Sequence, residues 1–253
     1  MIRLIEGEFR KLFTTKLWLW MALGAVAITA MFMSFTIALD GSQGNPQPLL
    51  STPEGQRNLF SVAGASGVFV LILGIIAITG EFRHQTVTPT FLATPRRGRV
   101  VIAKLVTYAL AGIGYGVLVT AFSIALSLPW LAAKDVDISL SANGIPGAIG
   151  GVIAGIAVYC VLGVGVGALV RNQIAAVVGS LVYLFVVEAF AANLPTIRDY
   201  YKYFPGGANA ALTGSTQPGT TLLEPWQGGL LLVAYGVVFA VAGSWLAVRR
   251  DVS

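Results

Sequence analysis

Charged residues are scarce in this chain. Only 11% of its 253 residues are Asp, Glu, Lys or Arg, while 56% are apolar. A soluble globular domain carries about 25% charged residues, so these charges are too few to solvate the surface of a soluble domain of this length. The shortage indicates an integral membrane protein. The net charge of +5 is therefore no evidence for nucleic-acid binding, because the location of the cations matters more than their sum.

Residues that carry chemistry are also few. The single cysteine, Cys160, lies in an apolar run and has no partner for a disulfide or a metal site, which favours a small buried residue. The single histidine, His84, excludes a histidine cluster. The sequence has no G-x-x-x-x-G-K-[ST] phosphate loop, no H-E-x-x-H and no Cys-x-x-Cys motif. These absences predict a protein that is not an enzyme and holds no cofactor or metal of its own.

Six apolar segments are long enough to cross a bilayer. An α-helix rises about 1.5 Å per residue, and the hydrocarbon core is about 30 Å thick. The fifth segment has only sixteen uncharged residues between Arg171 and Glu188, but its apolar character continues beyond Glu188. The sequence therefore predicts an all-α fold of six transmembrane helices in a single domain, 1–253. The predicted spans are 17–39, 58–80, 105–133, 144–170, 174–193 and 227–248.

The distribution of cations predicts the orientation. With the N-terminus in the cytosol, twelve of the sixteen Lys and Arg lie on the cytosolic side, as the positive-inside rule requires. If the fifth segment did not cross, Arg249 and Arg250 would move outside and weaken this bias. We therefore expect a multi-pass protein of the cell membrane with both termini in the cytosol. The four external cations are Arg57, Lys134, Arg198 and Lys202.

The first sixteen residues form an amphipathic pattern. Five apolar residues fall on one face of a helix over residues 2–13, with charged residues on or beside the opposite face. Such a helix would lie along the inner membrane surface, in contact with lipid, before the first span. Anchoring is the favoured role and contact with a partner protein the alternative. The apolar face consists of Ile2, Ile5, Phe9, Leu12 and Phe13.

The segment 81–104 is the most informative part of the chain. We interpret it as a cytosolic loop that starts with Glu81 at the membrane interface. Thr88-Pro89 and Thr94-Pro95 interrupt it, because a residue before proline avoids the helical region. A short helix fits between or beyond these breaks. The segment can act as a topology signal that attracts anionic lipid, or it can bind a soluble partner. Its cations are Arg83, Arg96, Arg97, Arg99 and Lys104.

Two further features leave alternatives open. Glu188 is the one acid near membrane depth, which makes it a candidate for a transport pathway, although its distance from Arg171 places it toward the outer interface. The external loop 194–226 is either an aromatic interfacial belt or a set of short helices that cap a pathway. Glycines also recur every four or seven positions in several spans, a spacing that favours close helix packing, or alternatively a subunit interface.

The sequence resembles the type-2 ABC exporter permeases, especially small actinobacterial members similar to drug exporters. The resemblance covers almost the whole chain. Its most specific part is Phe91-Leu92-Ala93-Thr94-Pro95-Arg96-Arg97-Gly98-Arg99, followed by Lys104. Supporting matches are Glu8-Phe9-Arg10-Lys11 with Thr14-Thr15, Gly80-Glu81-Phe82-Arg83-His84 with Thr86, Gly167-Ala168-Leu169-Val170-Arg171-Asn172 and Phe204-Pro205-Gly206-Gly207-Ala208.

The resemblance implies a permease subunit of an ATP-driven exporter, such as a drug efflux system. Such permeases work as dimers of six-span units, here with an identical copy or a paralogue, on cytosolic ABC ATPase subunits that hold ATP and Mg. It implies that 1–16 is a connecting helix, that 81–104 supplies the coupling helix, and that the external loop contains short re-entrant helices. Implied coupling residues are Glu81, Phe82, Arg83, His84, Thr86, Pro95, Arg96, Arg97, Arg99 and Lys104. Implied connecting-helix residues are Phe9, Arg10 and Lys11.

Two other functions remain open at this point. A membrane immunity or sensor component that does not transport would explain why no cargo site is assignable. A carrier driven by an ion gradient is less favoured, because the spans lack the acid and histidine relays that proton-coupled carriers often use.

Overall fold

The computed structural model describes residues 1–83, 97–216 and 219–250. This part of the chain is helical over most of its length and contains no strand. Six of its helices are long and apolar enough to cross a membrane. The prediction of an all-α fold with six helices long and apolar enough to span a membrane is therefore confirmed.

Ten α-helices occupy the described residues. A 3-10 turn, Val62–Ser66, and a π-helical turn, Tyr183–Val187, each join two of them. The helices of the first half are α1 Ile2–Thr14, α2 Leu17–Ala38, α3 Pro53–Ser61, α4 Gly67–Arg83 and α5 Arg97–Ala132. Those of the second half are α6 Ile145–Val170, α7 Gln173–Val182, α8 Glu188–Asn193, α9 Pro205–Thr213 and α10 Pro225–Arg250.

The spans alternate in direction, so the bundle has two ends. We call the end that carries α1 the near side and the opposite end the far side. The first span is α2, the second runs from α3 through α4, the third is α5, the fourth is α6, the fifth runs from α7 through α8, and the sixth is α10. The fifth span covers Gln173–Asn193, within one residue of its predicted bounds.

Two helices extend farther than their uncharged runs. Helix α4 continues to Arg83, and α5 already begins at Arg97 rather than at Leu105. A helix does not end where charges begin, because its backbone hydrogen bonds continue from hydrocarbon into the interface. Residues 81–83 and 97–104 of the predicted loop are therefore helical. The remainder, 84–96, lies outside the described residues.

Helix α6 lies at the centre of the bundle and packs against α4, α5 and α10. Its glycines make these approaches close. A Cβ at Gly163 would overlap with the carbonyl of Leu71 on α4, and one at Gly151 would overlap with the carbonyl of Leu212 on α9. Gly112 and Gly116 of α5 likewise face the backbone of α6. These glycines pack helices within one chain.

The segment after the fifth span folds back into the bundle. It contains a 3-10 helix, Arg198–Tyr203, and then α9. Helix α9 packs between α6 and α10, and its Asn209 contacts Gly155, about 15 Å along α6 from Ile145 at 1.5 Å per residue. This part of the predicted external loop is thus helical and enters the bundle from the far side.

Candidate functional site

Four charged side chains meet on the near side, and we call them the near-side cluster: Glu8 and Lys11 of α1, Glu81 of α4, and Lys104 of α5. The ammonium of Lys104 lies 2.5 Å from a carboxylate oxygen of Glu8 and 3.0 Å from one of Glu81. The ammonium of Lys11 lies 2.6 Å from Glu8 and 2.8 Å from Glu81. Each carboxylate thus contacts both ammonium groups.

The amphipathic pattern of α1 brings the cluster together. Glu8 precedes Leu12 by four residues, about one helical turn, so both project from the same face. They are the two buried residues of α1, and only 5% of Glu8 is exposed. On the partner helix, Lys104 is 3% exposed. Its ammonium also lies 5.7 Å from the ring centroid of Tyr108, a cation–π contact that further stabilises the buried charge.

The cluster contains two negative and two positive charges. A buried charge without a partner is strongly unfavourable, whereas a paired and hydrogen-bonded one is tolerated. Burial alone would raise the pKa of Glu8, but attraction to Lys104 and hydrogen bonds from both lysines outweigh it, so its pKa is below the ordinary value. For Lys11, burial would lower the pKa, but bonds to Glu8 and Glu81 outweigh it, so its pKa is above the ordinary value. Both residues are charged at neutral pH.

The cluster joins three helices around one segment of the chain. Helix α4 leads into residues 84–96 and α5 follows them, and the cluster connects both helices to α1 through Glu81, Lys104 and Glu8. A displacement of 84–96 would therefore act on α1 as well as on the second and third spans.

Some residues predicted to contact a partner lie beside the cluster. The guanidinium of Arg171 lies over the ring of Phe82, 5.1 Å from the ring centroid. This cation–π contact connects α4 to the near end of α6. Arg83 and Arg99 are exposed. Arg97 is the first residue of α5. His84, Thr86, Pro95 and Arg96 lie outside the described residues.

The predicted connecting-helix residues take different positions on α1. Phe9 packs on the main hydrophobic core, and its ring stacks on Phe13 at 6.1 Å. Arg10 forms an exposed ion pair with Glu6 at 2.7 Å. Lys11 belongs to the cluster. Sequence reasoning did not single out Glu8, although an acid one turn before Leu12, at the edge of an apolar face, was a usable signal.

Glu188 lies inside the protein. It lies near the far end of the fifth span, Gln173–Asn193, and only 5% of it is exposed. Its carboxylate accepts a hydrogen bond from the backbone N–H of Gly206 at 3.0 Å, in the first turn of α9. The π-helical turn before Glu188 adds a residue to the helical repeat and so rotates the following side chains around the axis. Distance along the helix predicts the depth of Glu188 but not the side of the helix on which it lies.

Two adjoining cavities lie on the far side, between the first span and the fifth, and we call them together the far-side cavity. Their volumes are about 450 and 380 Å³. They share the lining residues Phe32, Val62 and Ser215, so they lie side by side. No charged residue in the described part of the chain lines either of them, and both have hydroxyl, amide and aromatic side chains in their walls.

No protein-family model matches this chain, and no curated protein is similar enough to count as a relative.

Proposed function

We propose that the protein is the permease subunit of an ATP-driven exporter of the type-2 ABC class. It acts in the cell membrane with its near side and both termini in the cytosol. A separate ABC ATPase holds ATP and Mg, and a second six-span permease, identical or paralogous, completes the transport path.

The near-side cluster is the observation that carries the proposal. A permease without a phosphate loop of its own needs a surface that contacts the ATPase. It also needs a rigid connection that transmits movement of that surface to the spans. Segment 84–96 is the candidate contact, because it joins the second and third spans and carries the Thr94-Pro95-Arg96 motif. The buried pairs Lys104–Glu8 and Lys104–Glu81 supply the rigid connection.

The buried pairs make the near ends of three helices move together. Separating Lys104 from Glu8 would leave two buried charges without their partners. This is strongly unfavourable, because the protein interior has a low dielectric constant. Motion of the ATPase that displaces 84–96 would therefore shift α4, α5 and α1 as a unit. Since α1 leads directly into α2, the first span would move too. The far-side cavity lies between that span and the fifth, where such motion would change its opening.

The test is transport by the chain reconstituted in vesicles with the ATPase encoded beside its gene. We expect Glu81→Ala to lower ATP-driven transport about tenfold or more while insertion into the membrane is unchanged. The size of the effect follows from losing one partner of a buried pair. The matched control is Glu6→Ala, because Glu6 is an acid in an exposed pair on α1 and such pairs contribute little.

Three results would contradict the proposal. An equal loss of transport and insertion in Glu81→Ala would reduce Glu81 to a structural residue. Failure of the unaltered chain to co-purify with the neighbouring ATPase would favour an immunity or sensor component. Transport that continues without nucleotide would indicate a secondary carrier.

A further inference from the structure

We propose that the far-side cavity binds an amphiphile with an uncharged, hydrogen-bonding head group, such as a glycoside. The head occupies the cavity and the tail lies between the first and fifth spans. Only the idea that this ligand is cargo rests on the proposed function. Binding itself requires neither ATP nor the ATPase.

The size of the cavity suits a head group of this kind. Its two parts measure about 450 and 380 Å³, and small-molecule sites are commonly about 300–1,000 Å³. Phe35 of α2 and Phe185 of the π-helical turn both line the cavity. Phe35 is 57% exposed and Phe185 is 60% exposed, so their rings provide an apolar surface for a tail.

Unsatisfied polar groups line the cavity. The side-chain amide of Asn209, on α9, makes no hydrogen bond with any described residue, although its oxygen and nitrogen pack against Gly155 and Gly64. The hydroxyl oxygen of Thr216 is buried and has no partner in the described part of the chain. Polar groups at this depth normally form hydrogen bonds, so both are available to a ligand. Together they offer donors and acceptors to hydroxyl or amide groups.

No charged side chain in the described part of the chain lines the cavity, and two charges near it have partners. Glu188 accepts a hydrogen bond from the backbone N–H of Gly206. Arg57 donates to the carbonyl of Gly214 at 3.3 Å. A charged head group in the cavity would lose its hydration without gaining an opposite charge, which is unfavourable. A head rich in hydroxyl groups would instead satisfy Asn209 and Thr216.

The experiment compares four photoreactive probes with the same diazirine-bearing twelve-carbon tail. Their heads are glucoside, phosphocholine, sulfate and trimethylammonium. Each probe is added to the purified full chain in phospholipid nanodiscs without an ATPase, and mass spectrometry locates the labelled residues. We expect the glucoside probe to label 28–39 and 183–193 at least threefold more than any other probe, since one hydrogen bond changes an affinity about threefold to tenfold.

Two variants test the polar groups. Asn209→Leu and Thr216→Val keep the side-chain size, and each should lower glucoside labelling about threefold to tenfold, to the level of the other probes. Thr36→Val is the matched control. Thr36 also lines the cavity, but its hydroxyl already donates to the carbonyl of Phe32 at 2.9 Å, so labelling should not change.

The fold of each variant is checked at a second cavity of about 330 Å³, lined mainly by apolar residues of α6, α7 and α10. There, labelling should be equal for all four heads and in all variants. Equal labelling of the far-side cavity by the four probes would overturn the proposal, as would a preference for a charged head or full labelling in both polar variants. Selective labelling in a chain that does not couple to an ATPase would remove the proposed function but keep this binding site.

Discussion

Lys104 and Glu8 form a buried ion pair across 96 positions of the chain, with nitrogen and oxygen 2.5 Å apart. The pair fixes the amphipathic helix α1 to the third span. Glu81 accepts a second bond from the same ammonium at 3.0 Å, so the second span is fixed as well. An N-terminal helix that the sequence alone presents as a surface anchor is thus a part of the helix bundle.

Replacing Lys104 by Met should destabilise the protein strongly. The substitution leaves Glu8 buried with only the half-exposed Lys11 nearby, and breaking a buried pair from one side costs about 3–5 kcal/mol. The free energy of unfolding, measured by denaturant titration in mild detergent, should fall by that amount. Arg10→Met is the control, because the Arg10–Glu6 pair is exposed and should contribute less than about 1 kcal/mol. Similar losses in the two variants would show that the near-side cluster does not stabilise the fold.

The attachment of α1 should depend on pH. The pKa of Glu8 is lower in the folded chain than its ordinary value of 4.5, so its contribution is complete above pH 4.5 and is lost as pH falls through the lower folded value. The pKa of Lys11 is raised above 10.5, so its contribution is complete below pH 10.5 and is lost at higher pH. We expect α1 to detach at both extremes and to remain in place between them.

A nitroxide on Thr14→Cys would report this detachment. Thr14 is exposed on α1, and the native Cys160 is fully buried, so the label attaches at one site. The spectrum should become more mobile as pH falls below 4.5. In Glu8→Gln the acid transition should disappear, because the group that titrates is gone. An unchanged acid transition in that variant would assign it to other carboxyl groups.

The glycines of α6 should differ in their tolerance of a methyl group. Gly163→Ala would place a Cβ against the carbonyl of Leu71 on α4, and we expect it to destabilise the fold by about 1–3 kcal/mol, as overpacking does. Gly147 has open space around its Cβ position, so Gly147→Ala should be neutral or stabilise the helix by up to about 1 kcal/mol. Thermal unfolding in detergent measures both. A larger loss of stability in Gly147→Ala than in Gly163→Ala would exclude the close packing of α6 on α4.

Gly206 and Glu188 should be energetically coupled. A Cβ at Gly206 would overlap with the carboxylate of Glu188, so Gly206→Ala should destabilise α9 in the bundle. Removing the carboxylate in Glu188→Ala relieves that overlap, and the double variant should be less destabilised than the sum of the two, by about 0.5–3 kcal/mol. Glu188→Gln keeps the side-chain size and should give no such relief. If the effects of Gly206→Ala and Glu188→Ala simply add in the double variant, the contact between Gly206 and Glu188 is contradicted.

The sequence predicted the spans well because their signal is local. Uncharged runs such as Leu17 to Leu39 fix a helix by length alone, since every backbone group must be hydrogen-bonded within lipid. The same reasoning ended the second span too early, at Gly80, and began the third span too late, at Leu105. The cause is that charged residues mark the membrane interface and not the end of a helix's backbone hydrogen bonds. The coupling role of 81–104 stays a prediction.

By itself, the sequence determined that this chain forms membrane-spanning helices and an amphipathic helix before them, since hydropathy and periodicity act over neighbouring residues. Only the tertiary structure decided which side chains meet. The contacts of Glu8 with Lys104 and of Glu188 with Gly206 depend on the rotation and packing of helices far apart in the chain. The π-helical turn at Tyr183–Val187 changes the rotation of the helix before Glu188, and it leaves no periodic signal in the sequence.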